Sequence, residues 1–162
     1  MSKPPSTFTA QLFKGCLMAS KPIPKSRKDF AHFTTIQTRW MDNDVYGHVN
    51  NVNYYSYFDT VVNSHLIDQG ALDIQNSPVI GLVVETKCNY FASFAFPQKI
   101  EAGLAVTKVG SSSVVYEIGL FHEGEDTCAA QGHFIHVYVD RATNKPTPLP
   151  DALKDVVHAL TL

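Results

Sequence analysis

Residues Arg39 to Asp59, RWMDNDVYGHVNNVNYYSYFD, decide the reading of this chain, because a strand-like run opens there into a polar turn and then into an aromatic helix. Two acids, a glycine, a histidine and two adjacent asparagines meet at that junction. It is the first place to look for chemistry.

Upstream, FTTIQTRW from Phe33 to Trp40 mixes β-branched and aromatic residues with polar ones and predicts a first strand. Downstream, NYYSYFDTVVNSHLID from about Asn53 to Asp68 predicts a helix, with Asn53 or a nearby asparagine as its cap and Gly70 just past its end. Its apolar positions Tyr54, Tyr55, Tyr57, Phe58, Val61, Val62 and Leu66 form too broad a stripe for a lightly packed surface helix. Burial against a sheet must hold it, since Tyr and Val have ordinary helix propensity at best.

Four more strands are expected, at Val79–Phe91, Gln98–Lys108, Ser113–Phe121 and Thr127–Val139. The second has the period of two that marks a sheet with unequal faces, Ile100, Ala102, Leu104 and Val106 alternating with Glu101, Gly103, Ala105 and Thr107. Turns at Gly110–Ser111 and in HEGED from His122 connect the later strands, and a short helix starts at about Asp151 after Pro150. The order predicts an α+β domain in which four strands in meander follow the helix and wrap it, leaving the other sheet face for an oligomer contact.

The chain's 162 residues and 17.9 kDa fit one domain, and a hydrophobic content of 44% supplies a core. Thirteen basic against 15 acidic residues, a net charge of -2, give no general electrostatic reason to bind nucleic acid. Cys16, Cys88 and Cys128 have neither zinc-site spacing nor disulfide-scaffold density, and Cys88 and Cys128 read as buried inert thiols of a reducing, cytoplasmic setting. His133 and His136 are three apart on a strand and so face opposite ways, His48 and His65 lack a ligand partner, and no metal site or cofactor is expected. No run approaches the ~18 apolar residues of a membrane span. Residues 1–29 read as a flexible N-terminal arm, with a weaker organelle-targeting reading left open by the absence of acids before Asp29, and residues 30–162 as the folded domain.

RWMDNDVYGHVNNVNYYSYFD, backed by the helix and by KVGSSSVVYEIGLF at Lys108 to Phe121, resembles the 4-hydroxybenzoyl-CoA thioesterase-like acyl-CoA thioesterases. The resemblance covers about Phe33 to Val139. It implies a hotdog fold, an antiparallel sheet wrapped around a long central helix, and hydrolysis of an acyl-CoA thioester to a carboxylic acid and CoA. The family's acid-then-glycine pattern carries onto Asp44 with Gly47, and implies that Asp44 acts as nucleophile or general base.

By residue chemistry alone, Asp44 also fits a turn-forming aspartate that caps local backbone. Asp42 can orient the turn, pair with Arg39 or face solvent. His48 can position the thioester, bind a phosphate, act as an acid or satisfy turn backbone; no adjacent Ser or Cys completes a triad. Asn50 and Asn51 offer amides to an acyl carbonyl or to the helix start. Asp59 lies among apolar helix residues, where an acid must be exposed or hydrogen-bonded, and the resemblance makes it a support for the site.

Further implied are a homodimer or homotetramer with active sites between subunits, and a backbone amide near Gly81 that meets the thioester carbonyl of the partner's site. CoA needs cationic or amide donors at a groove mouth. Lys87, Lys108, Ser111 and Ser112 are candidates, although each lysine also fits a solvated edge charge. The chain carries AFPQK at Ala95 to Lys99 where the family often has Gly-Asp, which bears on the CoA-head loop. An acyl-carrier-protein thioesterase and a non-catalytic acyl-binding or assembly module of the same fold remain alternatives.

Overall fold

The structure is a computed structural model and describes residues 22–162. Five strands, β1 (His32–Gln37), β2 (Val79–Tyr90), β3 (Lys99–Val109), β4 (Ser113–His122) and β5 (Ala130–Asp140), form one antiparallel sheet in the order β1-β3-β4-β5-β2. Helix α1 (Asn51–Asp68) lies on one face, and a shorter α2 (Asp151–Ala159) packs beside β3. This is the hotdog arrangement implied by the resemblance.

The strand order corrects the expected four-strand meander. Strands β3, β4 and β5 do run as a meander, but β2 passes over them to pair with β5, with eleven partners from Val79↔Asp140 to Tyr90↔Ala130. Alternation of apolar and polar residues says which face a strand buries and carries no information on which neighbour it chooses. Two boundaries also move. The first strand ends at Gln37, because the Asp42 carboxylate draws the chain at Trp40–Asp42 into a 3-10 turn by accepting the Arg39 amide. Helix α1 starts at Asn51 because Asn50 caps it, its Oδ1 accepting the Val52 amide at 3.2 Å.

The helix is held by burial, as its sequence requires. Phe58, Val61 and Val62 are wholly covered, and the sheet presents Ile100, Leu104, Ile118 and Leu120 to the same core. Leu153, Val157 and Leu160 of the C-terminal segment close its end.

The outer face is not left bare, as was expected for the whole sheet. Phe30 lies across the middle of it, forming a second cluster with Ala105, Phe121 and Cys128. Glycines make room: a Cβ at Gly119 would come within 2.5 Å of the Phe30 ring, and one at Gly103 within 2.7 Å. Arg27 covers the Phe33 and Phe121 rings at 5.3 and 5.0 Å and pairs with Glu101. Residues 22–29, the end of the expected arm, are therefore tied down: the Lys25 amide donates to Gln131 Oε1 at 2.6 Å, and the Cys128 amide to the Lys25 carbonyl at 2.9 Å. The rest of the expected arm, Cys16 included, lies outside the described residues.

Burial pushes the Cys128 thiol up to about 12 and the Cys88 thiol up to about 11, so both are protonated at neutral pH. Among the described residues, no helix is long and apolar enough to cross a membrane.

Candidate active site

The segment between β1 and α1 is fixed at both ends. At its start stands Asp42, only 1% exposed. Its Oδ2 accepts the Arg39 amide at 2.7 Å and the Tyr57 hydroxyl at 2.7 Å, while Oδ1 accepts Arg39 Nε at 3.0 Å and Nη2 at 2.8 Å. Burial pushes the Asp42 carboxyl up, but the bonds from Arg39 and Tyr57 outweigh it and hold the group below the usual carboxylate range. Burial, reinforced by the Asp42 carboxylate, correspondingly raises the Tyr57 hydroxyl. Of the roles open to Asp42, the structure shows the pairing with Arg39 and the orientation of the turn.

The Asp42 carbonyl accepts the Asn50 amide at 2.8 Å and Asn53 Nδ2 at 2.9 Å. Val49 is buried and donates its amide to the Phe94 carbonyl at 2.7 Å. These bonds pin the far end of the segment.

Between the clamps, Asn43 and Val49 pair as an isolated bridge, and the Asp44 amide donates to the His48 carbonyl at 2.8 Å. The Gly47 amide closes a turn on the Asp44 carbonyl at 3.1 Å. Gly47 has φ +81°, a left-handed conformation with open space around it, which explains a glycine at this position. Asp44 is half-buried; its Oδ1 accepts the Tyr46 amide at 2.8 Å, and among the described residues its other carboxylate oxygen has no partner. Trp40, Asn43, Asp44, Val45 and Gly47 line an open cleft of about 480 Å³. A solvent-facing carboxylate in such a cleft can attack an electrophilic carbon or take a proton from water.

His48 and Asn51 are exposed beside this turn, and Asn50 is committed to its cap. Asp59 is exposed further along α1 and accepts Asn63 Nδ2 at 3.1 Å. The remaining sequence candidates lie elsewhere in the subunit. Gly81 is near the start of β2, and Lys87 is exposed on the same strand. Lys108, Ser111 and Ser112 sit at the β3–β4 turn. That turn is at the opposite end of β3 from Ile100, whose end of the strand adjoins Gln37 and hence the Asp44 segment.

Of the aromatic residues of α1, Tyr57 and Phe58 are in the core. Tyr54 lines a cleft of about 280 Å³ together with Val49, Asn51, Tyr90 and Phe91. His133 and His136 do face opposite ways, His133 bonding Glu85 at 2.7 Å and His136 being 2% exposed in the core. No group of three metal-ligating side chains is found among the described residues.

Comparison with known families matches residues 38–157 to the thioesterase-like superfamily. The chain belongs to that superfamily. Its architecture is accordingly the hotdog fold of this family, and its class is that of the thioester hydrolases. Among solved structures of similar fold, the PA5185 protein of Pseudomonas aeruginosa strain PAO1 is 52% identical, covering 86% of this chain and 97% of its own, with a TM-score of 0.84. The YsmA protein of Bacillus subtilis strain 168 is 24% identical over 137 residues, 84% of this chain and 91% of its own. Slr0204, a 1,4-dihydroxy-2-naphthoyl-CoA thioesterase from Synechocystis, is 17% identical over 78% of this chain and 94% of its own, with a TM-score of 0.71, a likeness of fold.

Proposed function

We propose that this thioesterase-like protein hydrolyses an acyl-CoA thioester at Asp44, in a site completed by a second copy of the chain. The observation that carries the assignment is the contrast between the two acids of the turn. Asp42 is saturated with bonds that hold the fold together, whereas Asp44 keeps a carboxylate oxygen free at a cleft.

Two routes fit that carboxylate. In one it attacks the thioester carbon, the C–S bond breaks with release of the CoA thiolate, and water then hydrolyses the acyl–aspartate anhydride to the carboxylic acid. In the other it takes a proton from a water molecule as that water attacks, and the proton passes to the departing thiolate. Both develop negative charge on the carbonyl oxygen. The start of α1 lies next to the turn, and the Asn51 amide, which has no partner among the described residues, is suited to receive that charge.

A second copy is supported by the β2 edge. Among the described residues this twelve-residue strand has no neighbour on its outer side, and it exposes Leu82, Val83 and Val84 at 42, 44 and 59%. A long apolar edge invites antiparallel pairing with its own twofold copy. Such pairing sets the Gly81 end of one β2 against the Tyr90 end of the other. Tyr90 packs on Tyr54 at 4.9 Å, at the end of α1 where Asp44 lies. The twofold would thus bring Gly81 of the partner subunit, and the β3–β4 turn with Lys108, Ser111 and Ser112, toward Asp44, where a CoA head could meet them.

Thiol release from a panel of short, long and aromatic acyl-CoA esters tests the assignment. Asp44→Asn is expected to lower turnover at least about 100-fold with the melting temperature and oligomeric state unchanged. Near-native turnover in that variant refutes the role of Asp44.

A further inference from the structure

Two clefts meet on the surface at the end of β2. The first, of about 380 Å³, is lined by Pro24, Phe91, Ala92, His122, Glu125 and Thr127 among others. The second, of about 280 Å³, shares Phe91 and Ala92 with it and continues to Tyr90, Tyr54 and Asn51 at the start of α1. The wall they share is fixed, because the Phe91 and Ala92 amides both donate to the Ala129 carbonyl, at 2.8 and 2.9 Å. Apolar residues supply most of the lining, and Tyr90 is 45% exposed.

The described chain begins at the rim of the first cleft. The Ile23 carbonyl accepts Gln131 Nε2 at 3.2 Å, the Lys25 amide donates to Gln131 Oε1, and Ser26 pairs with Thr127 as an isolated bridge. Pro24 is itself part of the cleft wall. Whatever precedes Pro22 is therefore joined to the fold at this place.

Residues 1–21 match the clefts in three respects. Their apolar side chains gather at residues 12–19, LFKGCLMA, and an exposed apolar lining calls for an apolar occupant. They carry Lys3, Lys14 and Lys21 and no acid, while the turn beside the first cleft carries Glu123, Glu125 and Asp126, all exposed. Their length also suffices. An extended chain spans at most about 3.6 Å per residue, so Ala19 can lie up to about 14 Å from Ile23 and Leu12 up to about 40 Å. These residues stand outside the family match, which begins at residue 38.

We infer that residues 12–19 occupy this double cleft of their own subunit as a strap, with Leu17 and Met18 on Phe91 and Ala92 and Leu12 reaching Tyr90. The Tyr90 hydroxyl donates to the Asn51 carbonyl at 3.5 Å, so the inner end of the strap borders the start of α1. Only that bordering role, as a wall of the site at Asp44, rests on the function proposed above. The docking does not.

A nitroxide on the Cys16 thiol tests the docking in the full chain without substrate. In the ¹⁵N-labelled protein, the amide signals of Phe91, Ala92 and Ser93 are expected to lose most of their intensity and to regain it when the nitroxide is reduced. Those of Lys108 and Ser111, at the far end of β3, should keep theirs, and Cys16→Ser treated in the same way is the control for the other thiols. Leu12→Asp combined with Leu17→Asp should abolish the broadening and quicken tryptic cleavage after Lys14 at least about tenfold, since burying one leucine is worth about that factor or more. Ala92→Arg, a change at an exposed residue that repels the lysines, should do the same from the cleft side. Absent broadening, including the case in which these amides shift on dilution because a second copy fills the clefts, would overturn the inference. So would broadening that survives the double variant, or that passes to ¹⁵N-labelled copies mixed with nitroxide-bearing unlabelled ones. Failure of the Asp44 assignment would instead appear as normal hydrolysis by Asp44→Asn, with the broadening intact.

Discussion

Removing the Asp42 side chain should unfasten the turn that carries Asp44. In Asp42→Ala two donors lose their acceptor in the protein interior, the Tyr57 hydroxyl, on a residue 4% exposed, and the Arg39 amide. At about 1–3 kcal/mol for each, the loss is about 2–6 kcal/mol. The Arg39 side chain is 58% exposed and returns to water, and the cost of burying the Asp42 charge disappears with it. Both considerations favour the lower half of that range, about 3 kcal/mol. For a chain of this size that lowers the melting temperature by roughly 6–12 °C at fixed protein concentration, measurable by circular dichroism.

Asp42→Asn separates the hydrogen bonds from the charge. Both donors meet Oδ2, so an asparagine with its carbonyl oxygen in that place keeps them and should cost about 1 kcal/mol or less. The acid limb supplies a second readout. A carboxyl whose folded pKa lies below its unfolded value stabilises the fold above the unfolded pKa, and that stabilisation is lost as pH falls through the folded one. Asp42→Asn should therefore approach the parent's stability as pH falls below the usual carboxylate range and fall short of it at pH 7. Alanine and asparagine variants that melt together, or an alanine variant within 2 °C of the parent, would refute the reasoning.

Two further perturbations probe the outer sheet face and the edge. Gly119→Ala places a Cβ against the Phe30 ring and should cost about 1–3 kcal/mol by overpacking, with faster tryptic cleavage after Lys25 and Arg27; unchanged melting and cleavage would show that Phe30 does not hold that segment. Val84→Lys puts a charge on the exposed β2 edge, at the register shift between Val83 and Glu85, and should raise the dimer dissociation constant at least about tenfold in sedimentation runs; an unchanged dimer would exclude β2 as the interface.

The sequence made the elements plain wherever one face of an element is apolar. The Ile100–Val106 alternation and the Tyr54–Leu66 stripe both became core, and the polar break at Asp42–Asn51 became the turn between them. It hid what depends on partners remote in the chain. The pairing of β2 with β5 leaves no local trace. Gly103, Ala105 and Gly119 have little strand propensity of their own, yet they are small because Phe30 lies on them. Asp42 and Asp44 look alike in DND, and only the fold shows that one reaches Tyr57, 15 residues on, while the other turns to a cleft. His136 passed as one of a strand pair without a metal, since an unsatisfied nitrogen becomes visible only when every neighbour is in place.

The two clamps around the Asp44 turn also bear on how such a chain can evolve. Asp42 and Val49 hold the ends by bonds to Tyr57, Asn50, Asn53 and Phe94, so the stretch between them adds little to the core. Val45, Tyr46 and His48 are exposed, and mutations there can accumulate at small cost in folding. A lineage can thus vary the cleft wall at Val45, and the surface beside it at Tyr46 and His48, while the frame that orients Asp44 stays intact.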